Sequence, residues 1–197
     1  SVYQNSLKVL INSLYGYCGN KYAPMSDIDI AESVTLTCQN VIKESGDILE
    51  GVVNKLLKTT GVTSLTYQDT DSCYITIQSI IDKYNLDFYN EDKTGVNPKV
   101  INICQKIEDK LNQSIKAWGE EELNTKDCRF QFKMEVIADK GLFIAKKNYV
   151  VHKYYDEGFD VTEEKKRWKY TGIKLVSASM PQRMKPIVEK ILHKIVL

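Results

Sequence analysis

Several features that would assign a protein to a class at once are missing from this sequence of 197 residues. It has no run of eighteen apolar residues and no basic-then-apolar N-terminal pattern, so we expect a soluble, intracellular protein without a membrane partner. Its five cysteines lie far apart and form no Cys-x-x-Cys pair. That spacing argues against a zinc site or a disulfide framework and favours reduced thiols. Internal repeats and a glycine-rich phosphate loop are also missing.

A strong excess of one charge is missing as well, because 27 Lys and Arg residues face 26 Asp and Glu residues, for a net charge of +1. Proteins that bind nucleic acids often show a clear basic excess. Any affinity for DNA must therefore come from local clusters. Segment 140–174 is such a cluster, since its lysines are interleaved with tyrosines and a tryptophan. This mixture suits contact with phosphates and bases, and a charged hairpin in water is the alternative.

Residues 63–78 are the most informative stretch, because two strand-like runs flank the sequence Asp69-Thr70-Asp71. Apolar and polar residues alternate on both sides, which predicts a β-hairpin with one buried face. Residues i and i+2 of an extended chain point to the same side, so both carboxylates should meet at the tip. Like charges raise each other's pKa unless a cation lies between them, and Mg2+ accepts one or two carboxylates. A solvated turn is the alternative.

Hydrophobic spacing and turn residues divide the rest of the chain into helices and strands. Four helices are predicted. The first has a buried stripe at Leu7, Leu10, Ile11 and Leu14 and is ended by Gly16 and Gly19, and the second is capped by Ser26 or Asp29 and bends near Gly46. The third is capped by Asn97 and runs to about Trp118, and the fourth begins at Pro186. Further strands are predicted at 130–136, 143–154 and 168–171, the last opposite 149–155, and 84–97 is a predicted surface loop. Helices and antiparallel strands in separate blocks indicate an α+β fold.

Three short motifs occur in an order that resembles the family B DNA polymerases. Tyr67–Ser72, read Tyr-Gln-Asp-Thr-Asp-Ser, resembles motif C of that family. Lys8–Gly16, with a Lys followed after three residues by Asn-Ser-x-Tyr-Gly, resembles motif B. Lys146–Tyr149 resembles the Lys-Lys-x-Tyr primer-contact motif. The resemblance covers essentially the whole chain and is strongest to bacteriophage-like members.

The resemblance implies an antiparallel palm-type sheet packed on helices. Residues 1–22 would form the end of a fingers helix, 23–180 the palm and 181–197 the beginning of a helical thumb. Within the palm, the motif C hairpin would span 63–78 and the primer-contact strands 130–174.

The function implied by the resemblance is that of part of a DNA-directed DNA polymerase. Such a nucleotidyltransferase adds deoxynucleotides to a primer 3′ end by two-metal phosphoryl transfer, with two Mg2+ ions as cofactors. Asp71 would be the metal-bridging carboxylate, with Asp69 in a supporting role. Glu135 would act through water near one metal, and a plain surface glutamate is the alternative.

Substrate contacts are implied on two further segments. Lys8 would contact the phosphates of the deoxynucleoside triphosphate, Asn12 would help to position it, and Tyr15 would pack beneath the nascent base pair. A polar helix face with Tyr15 in the core is the alternative for these three. The residues implied to bind the primer–template DNA are Lys146, Lys147, Tyr149 and Lys169, the last within Lys-x-x-Gly172.

Two departures from the family pattern limit what this chain should do alone. Gln68 stands where motif C usually has Gly or another small residue, so a side chain must fit near the primer end. No segment resembles motif A, the Asp-x-x-Ser-Leu-Tyr-Pro-Ser block that supplies the other metal-binding carboxylate.

We therefore expect the chain to be either an excised fragment or the C-terminal product of a split polymerase. Alone it should be inactive, and it should depend on another segment or on an upstream polypeptide that carries motif A. The phage resemblance places it in the cytoplasm of an infected bacterium. The alternatives are a noncatalytic DNA-binding or assembly module derived from a polymerase palm, and an unrelated nuclease with an acidic dyad.

Overall fold

The computed structural model describes residues 2–24, 26–173 and 180–197, so part of the predicted palm, 174–179, lies outside the described residues. In these ranges the helices are α1 (Val2–Cys18), α2 (Ile28–Leu57), α3 (Gln78–Lys83), α4 (Pro98–Glu122), α5 (Glu164–Arg167) and α6 (Lys185–Val196). The strands are β1 (Leu65–Asp69), β2 (Ser72–Ile75), β3 (Val136–Ala145), β4 (Asn148–Asp156), β5 (Phe159–Asp160) and β6 (Trp168–Thr171).

The strands form two separate antiparallel sheets. Strands β1 and β2 make a hairpin, and β3 pairs with β4, which pairs on its other side with both β5 and β6. Helices and antiparallel sheets in separate blocks confirm the predicted α+β class. None of the helices in the described ranges has the length and apolar character needed to cross a membrane.

The core consists of two hydrophobic clusters that meet at α3. One joins α2 and α4 beneath the first hairpin and is centred on Leu49, Val53, Ile80, Ile107 and Leu111. The other lies between the start of α4 and the larger sheet and is centred on Ile81, Val96, Val100, Ile137, Tyr154 and Tyr155. Because the hairpin and the larger sheet pack on the same helical layer, their tips are held close together. Val96 is only 1% exposed, so the segment 84–97 is not simply the surface loop that its polar residues predicted.

The predicted helices are present, with three corrections at their ends. Helix α1 continues through Gly16 to Cys18, and Asp27 caps α2 by accepting a hydrogen bond from the N–H of Ile30. Helix α2 runs without interruption through Gly46, where a bend was predicted. Asn97 caps α4 as predicted, and the helix runs on to Glu122.

The apolar stripe of α1 is exposed in the described structure, contrary to the burial that its spacing predicted. Leu10, Ile11 and Leu14 keep about two thirds of their surface accessible. Helical periodicity identifies an apolar face, but burial requires a second surface to cover it. Helix α1 lies against α2, and Tyr15 donates or accepts a hydrogen bond with Thr35 on that side at 2.8 Å.

The predicted strand at 130–136 is wrong, because the chain enters strand β3 only at Val136. Its alternating pattern is real, since Phe130, Phe132 and Met134 are half-buried between exposed neighbours. The backbone of this extended segment bonds to side chains of α4 instead of to a strand. Asn112 binds both the N–H and the C=O of Phe132, and Glu108 accepts from the N–H of Met134.

The single strand predicted at 143–154 is also wrong, because this run folds into the β3–β4 hairpin. The reversal falls at Lys146-Lys147, with Ala145 opposite Asn148. Lys147 has a φ of +60°, a left-handed conformation that favours Gly or Asn. Strand β6 pairs with Tyr149–His152 of β4, close to the predicted partner segment.

Candidate functional site

The two predicted acidic residues lie at the tip of the β1–β2 hairpin. Asp69 ends β1 opposite Ser72, so Thr70 and Asp71 form a two-residue turn. Asp71 is exposed, whereas the Asp69 side chain is only 12% exposed. The hairpin is present as predicted, but all of β2 is half-buried, so no face of that strand is fully covered. Asp71 lies in the turn rather than in an extended strand, so its direction is not fixed by the i, i+2 rule.

Asp69 is held as an ionised carboxylate by its protein neighbours. The backbone N–H of Thr70 is the main reason that the pKa of Asp69 lies below its ordinary value of 3.8. Burial is the next largest effect and raises the pKa, whereas the Thr70 hydroxyl, 3.1 Å from Oδ1, and the positive charges of Lys147 and Lys146 lower it. The upward shift expected from a neighbouring carboxylate is therefore absent at Asp69.

The Lys146-Lys147 turn of the second hairpin meets this acidic tip. Lys146 Nζ lies 3.9 Å from Asp69 Oδ1. The backbone N–H of Lys147 donates to the Tyr67 hydroxyl at 2.7 Å, and that hydroxyl donates to Asp69 Oδ2 at 3.4 Å. The structure thus brings Asp69, Lys146 and Lys147 together, with Asp71 two residues from Asp69 in the turn. Tyr67 links the two tips, a role that the sequence did not reveal.

Four aromatic rings pack between the two hairpins behind their charged tips. Tyr67 stacks on Phe143 with ring centroids 5.1 Å apart, and the other close ring pairs are separated by 5.1–5.4 Å. The hydroxyls of Tyr74 and Tyr149 lie 3.4 Å apart, and burial is the main reason that the pKa of Tyr74 is raised. These separations suit offset or edge-to-face aromatic contacts. We call Tyr67, Tyr74, Phe143 and Tyr149 the aromatic cluster.

Tyr149, predicted to bind DNA, is 8% exposed and belongs to this aromatic cluster. Its observed contacts connect β4 to the motif C hairpin. Lys169, also predicted to bind DNA, is half-buried on β6, directly opposite Val151 of β4. Facing residues of antiparallel strands project to the same side, so Lys169 lies on the sheet face that carries Tyr149. Their contact with DNA stays a prediction.

Gly172 approaches the lysine turn very closely. Its φ is +65°, and a Cβ at this position would lie 1.7 Å from the carbonyl oxygen of Lys147. Only glycine fits such an approach of two backbone segments. The glycine of the Lys-x-x-Gly motif therefore packs against the carbonyl group of Lys147, while Tyr67 binds the N–H of the same residue.

Gln68 points away from the hairpin tip. Its amide nitrogen donates to the backbone carbonyl of Ile42 in α2 and lies 3.5 Å from Cys73 Sγ. The side chain expected to crowd the primer end is therefore accommodated against α2, next to Gly46.

The remaining predicted residues are not joined to the acidic tip in the described structure. Lys8, Asn12 and Tyr15 are exposed on α1, and among the described residues no hydrogen bond or ion pair links them to Asp69 or Asp71. Glu135 is exposed just before β3 and lies near Tyr74, whose pKa it helps to raise.

The tip offers two carboxylates to a metal ion but not a complete set of protein ligands. Across residues 2–24, 26–173 and 180–197, no group of three or more His, Cys, Asp or Glu side chains forms a metal site. Asp69 and Asp71 match the type and number of ligands that Mg2+ commonly takes from a protein, because this ion completes its shell with water and phosphate oxygens.

A polar network around the buried His152 of the larger sheet was not predicted. His152 lies between Asp139, with Nδ1 2.8 Å from Oδ1, and Glu164, with Nε2 3.3 Å from Oε1. Tyr89 donates to the other oxygen of Asp139, and Trp168 and Arg167 donate to Glu164. This network ties β3, β4 and α5 together. The members of the network lie far apart in sequence, so no local sequence pattern indicates it.

Comparison with known proteins gives a family match over nearly the whole chain. A family model described as DNA polymerase family B matches residues 2–197. A DNA-directed DNA polymerase of Escherichia phage RB69 is 24% identical over 199 residues, which cover 97% of this chain and 22% of that relative. The DNA-directed DNA polymerase of Enterobacteria phage T4 is 26% identical over 200 residues, 98% of this chain and 22% of the relative.

A third relative matches a shorter part of the chain. A DNA polymerase of Phaeocystis pouchetii virus is 32% identical over 106 residues, which cover 50% of this chain and 9% of that protein. The chain therefore spans about a fifth of the length of its phage relatives, and less of the third.

Proposed function

Because the chain belongs to DNA polymerase family B, we propose that it forms part of the active site of a DNA-directed DNA polymerase. The reaction is the extension of a primer 3′ end by a deoxynucleotide, with release of pyrophosphate. The observation that carries this proposal is the meeting of the Asp69-Thr70-Asp71 tip with the Lys146-Lys147 tip. Such a junction places carboxylates for a metal beside cations for a nucleic-acid backbone.

Asp71 and Asp69 would hold Mg2+ at the acidic tip. When bound there, the ion would supply charge neutralisation at the phosphates and lower the pKa of the attacking hydroxyl. Asp71 is exposed at the turn and so is available as a ligand. Asp69 is already ionised and oriented by Thr70 and Tyr67, which fits its supporting role.

Lys146 and Lys147 would bind the primer–template duplex next to the reacting end. Both side chains are exposed, and the Lys147 backbone is held by Tyr67 at its N–H and by Gly172 at its carbonyl group. A lysine in the minor groove can bind the purine N3 and pyrimidine O2 acceptors that all correct pairs share. The turn would thus respond to pairing geometry and not to sequence. Tyr149 would support it through the aromatic cluster.

Residues 1–22 are proposed as a fingers segment, 23–180 as the palm and 181–197 as the start of the thumb. Lys8, Asn12 and Tyr15 would face the incoming nucleotide from α1. The two described carboxylates do not complete a two-metal site, so an acidic segment outside these 197 residues must supply the other ligand. The phage relatives make the cytoplasm of an infected bacterium the proposed location.

The test is Mg2+-dependent primer extension by the chain, alone and with a polypeptide that carries a motif A block. We expect extension only in the reconstituted mixture. Asp71→Asn should abolish it, whereas Asp109→Asn, an exposed position on α4, should leave it unchanged. Extension that survives Asp71→Asn would refute the metal assignment. Duplex binding without any extension in the mixture would favour the noncatalytic DNA-binding module.

A further inference from the structure

Helix α2 has a row of positions, four residues apart, that faces segment 62–68, which leads to the acidic tip. We call this row the seam. Asn54 binds both the N–H and the C=O of Val62, at 3.0 and 3.1 Å. One turn earlier, Glu50 accepts a hydrogen bond from the N–H of Leu65 at 3.4 Å. Two turns before that, the carbonyl of Ile42 accepts from Gln68. Residues 42, 46, 50 and 54 lie on one face of a helix, so segment 62–68 runs antiparallel along it.

Gly46 forms a notch in this seam for the amide of Gln68. A Cβ on Gly46 would lie 2.7 Å from Gln68 Nε2 and 3.0 Å from Leu65 Cδ2. Gly46 is buried in the middle of a continuous helix, where glycine is a poor helix former. Close packing against Gln68 is the physical reason for a glycine at this point.

This seam places strand β1 along α2, while Tyr67 joins the strand to the β3–β4 hairpin. In the described part of the chain β1 pairs with β2 alone, so no larger sheet fixes where it lies along α2. Gln68 immediately precedes Asp69, and its amide also reaches Cys73 across the hairpin. A shift of Gln68 along α2 would therefore carry the acidic tip with it.

We propose that Gln68 is a positioning residue, whose amide, seated in the Gly46 notch, fixes the place of the Asp69-Thr70-Asp71 tip along α2. This inference rests on the proposed function for its catalytic consequence, but not for the contact itself. The Gln68 side chain occupies the space that a side chain at position 46 would need.

A double-mutant cycle in the full 197-residue chain tests the contact. Gly46→Ala should displace the Gln68 amide, because the atom that its Cβ meets is the movable end of a side chain, and the lost hydrogen bond should roughly cancel the gain that alanine brings to a helix. In a Gln68→Ala background the same substitution should raise the folding equilibrium constant by roughly fivefold, so the two positions should be coupled by about that factor. Gly51→Ala on the same helix is the matched control, because a Cβ there meets no atom within 4 Å. Additive effects of Gly46→Ala and Gln68→Ala would overturn the proposal.

Gln68→Met separates the hydrogen bond from the packing, because it keeps a similar length without a donor. Hydrogen exchange of the Leu65–Ile75 amides should be faster in this variant, while exchange in α4 stays unchanged. In a polymerase reconstituted with a motif A polypeptide, kcat should fall roughly tenfold with KM for the nucleotide within about twofold, as expected when transition-state geometry alone is disturbed.

The outcomes distinguish the two proposals. Faster exchange with unchanged kcat would overturn the positioning role and leave the proposed function intact. If the wild-type chain supports no extension, the proposed function fails. The double-mutant cycle and the hydrogen-exchange measurement then still decide whether Gln68 fixes the position of the β1–β2 hairpin along α2.

Discussion

Replacement of Gly172 by alanine tests the junction of the two hairpins most directly. Gly172 has a φ of +65°, where an L-residue costs about 1–2 kcal/mol. Its Cβ would lie 1.7 Å from the Lys147 carbonyl oxygen, against a normal separation of about 3.5 Å. Backbone must move by roughly 1.8 Å to relieve the overlap, and such overpacking costs about 1–3 kcal/mol. The total is about 2–5 kcal/mol.

Gly61→Ala is the matched control for this substitution. Gly61 also has a positive φ, +84°, but a Cβ there meets no atom within 4 Å. Only the backbone cost of about 1–2 kcal/mol applies, so the difference between the two variants measures the close approach to Lys147. Urea unfolding of both variants gives the two free energies.

Duplex binding provides the functional arm of the same experiment. Gly172→Ala leaves every charge in place but displaces the Lys146-Lys147 turn, so it should weaken binding to a primer–template duplex. Gly61→Ala should bind like the wild type. If the two variants lose equal stability and bind equally well, the proposed support of the lysine turn by Gly172 is wrong.

Three further outcomes follow from the same structure. Thr70→Val should raise the pKa of Asp69, because it removes the hydroxyl 3.1 Å from Oδ1, whereas Thr70→Ser should not; carboxyl-carbon NMR titration measures both. Lys147→Ala should weaken duplex binding and reduce the slope of log K against log salt by up to about 0.9, and an unchanged slope would exclude a phosphate contact. The hydrogen bond from His152, against the larger opposing effect of burial, holds the pKa of Glu164 below 4.5. Stability from this group is present above pH 4.5 and is lost as the pH falls through the lower folded value, so Glu164→Gln should flatten the acid side of the Tm profile. The effect should stay below about 1 kcal/mol, since Glu164 is 63% exposed, and identical profiles would contradict it.

Sequence patterns predicted the elements whose causes are local. The hairpin around Asp69 follows from turn residues between alternating runs, and the Asn97 cap of α4 from a cap followed by Pro98. The turn at Lys146-Lys147 could not be found in this way, because it contains neither Gly nor Asn. Its left-handed residue is supported by Tyr67 and Gly172, which are distant in sequence.

Segment 130–135 shows why an alternating pattern does not determine a strand. The pattern reports an extended chain with one covered side, and both features are observed. What makes a strand is the partner of the backbone groups, and here the partners are Asn112 and Glu108 of α4. Likewise, the sequence placed Gln68 beside Asp69, but only the fold shows that its amide turns toward α2.

Comparison of magnitudes shows which interactions hold the site together. The ion pair between Lys146, 77% exposed, and Asp69 contributes at most about 1 kcal/mol in water. Each close pair in the aromatic cluster contributes about 0.5–1.5 kcal/mol beyond the burial of its rings, and several such pairs lie behind the tips. The junction is therefore built by Tyr67, Tyr74, Phe143 and Tyr149. The charged side chains at the tips are not needed to hold the hairpins together. Asp69 and Lys146 could therefore give up their ion pair, the one to bind a metal ion and the other a phosphate, without loosening the fold that positions them.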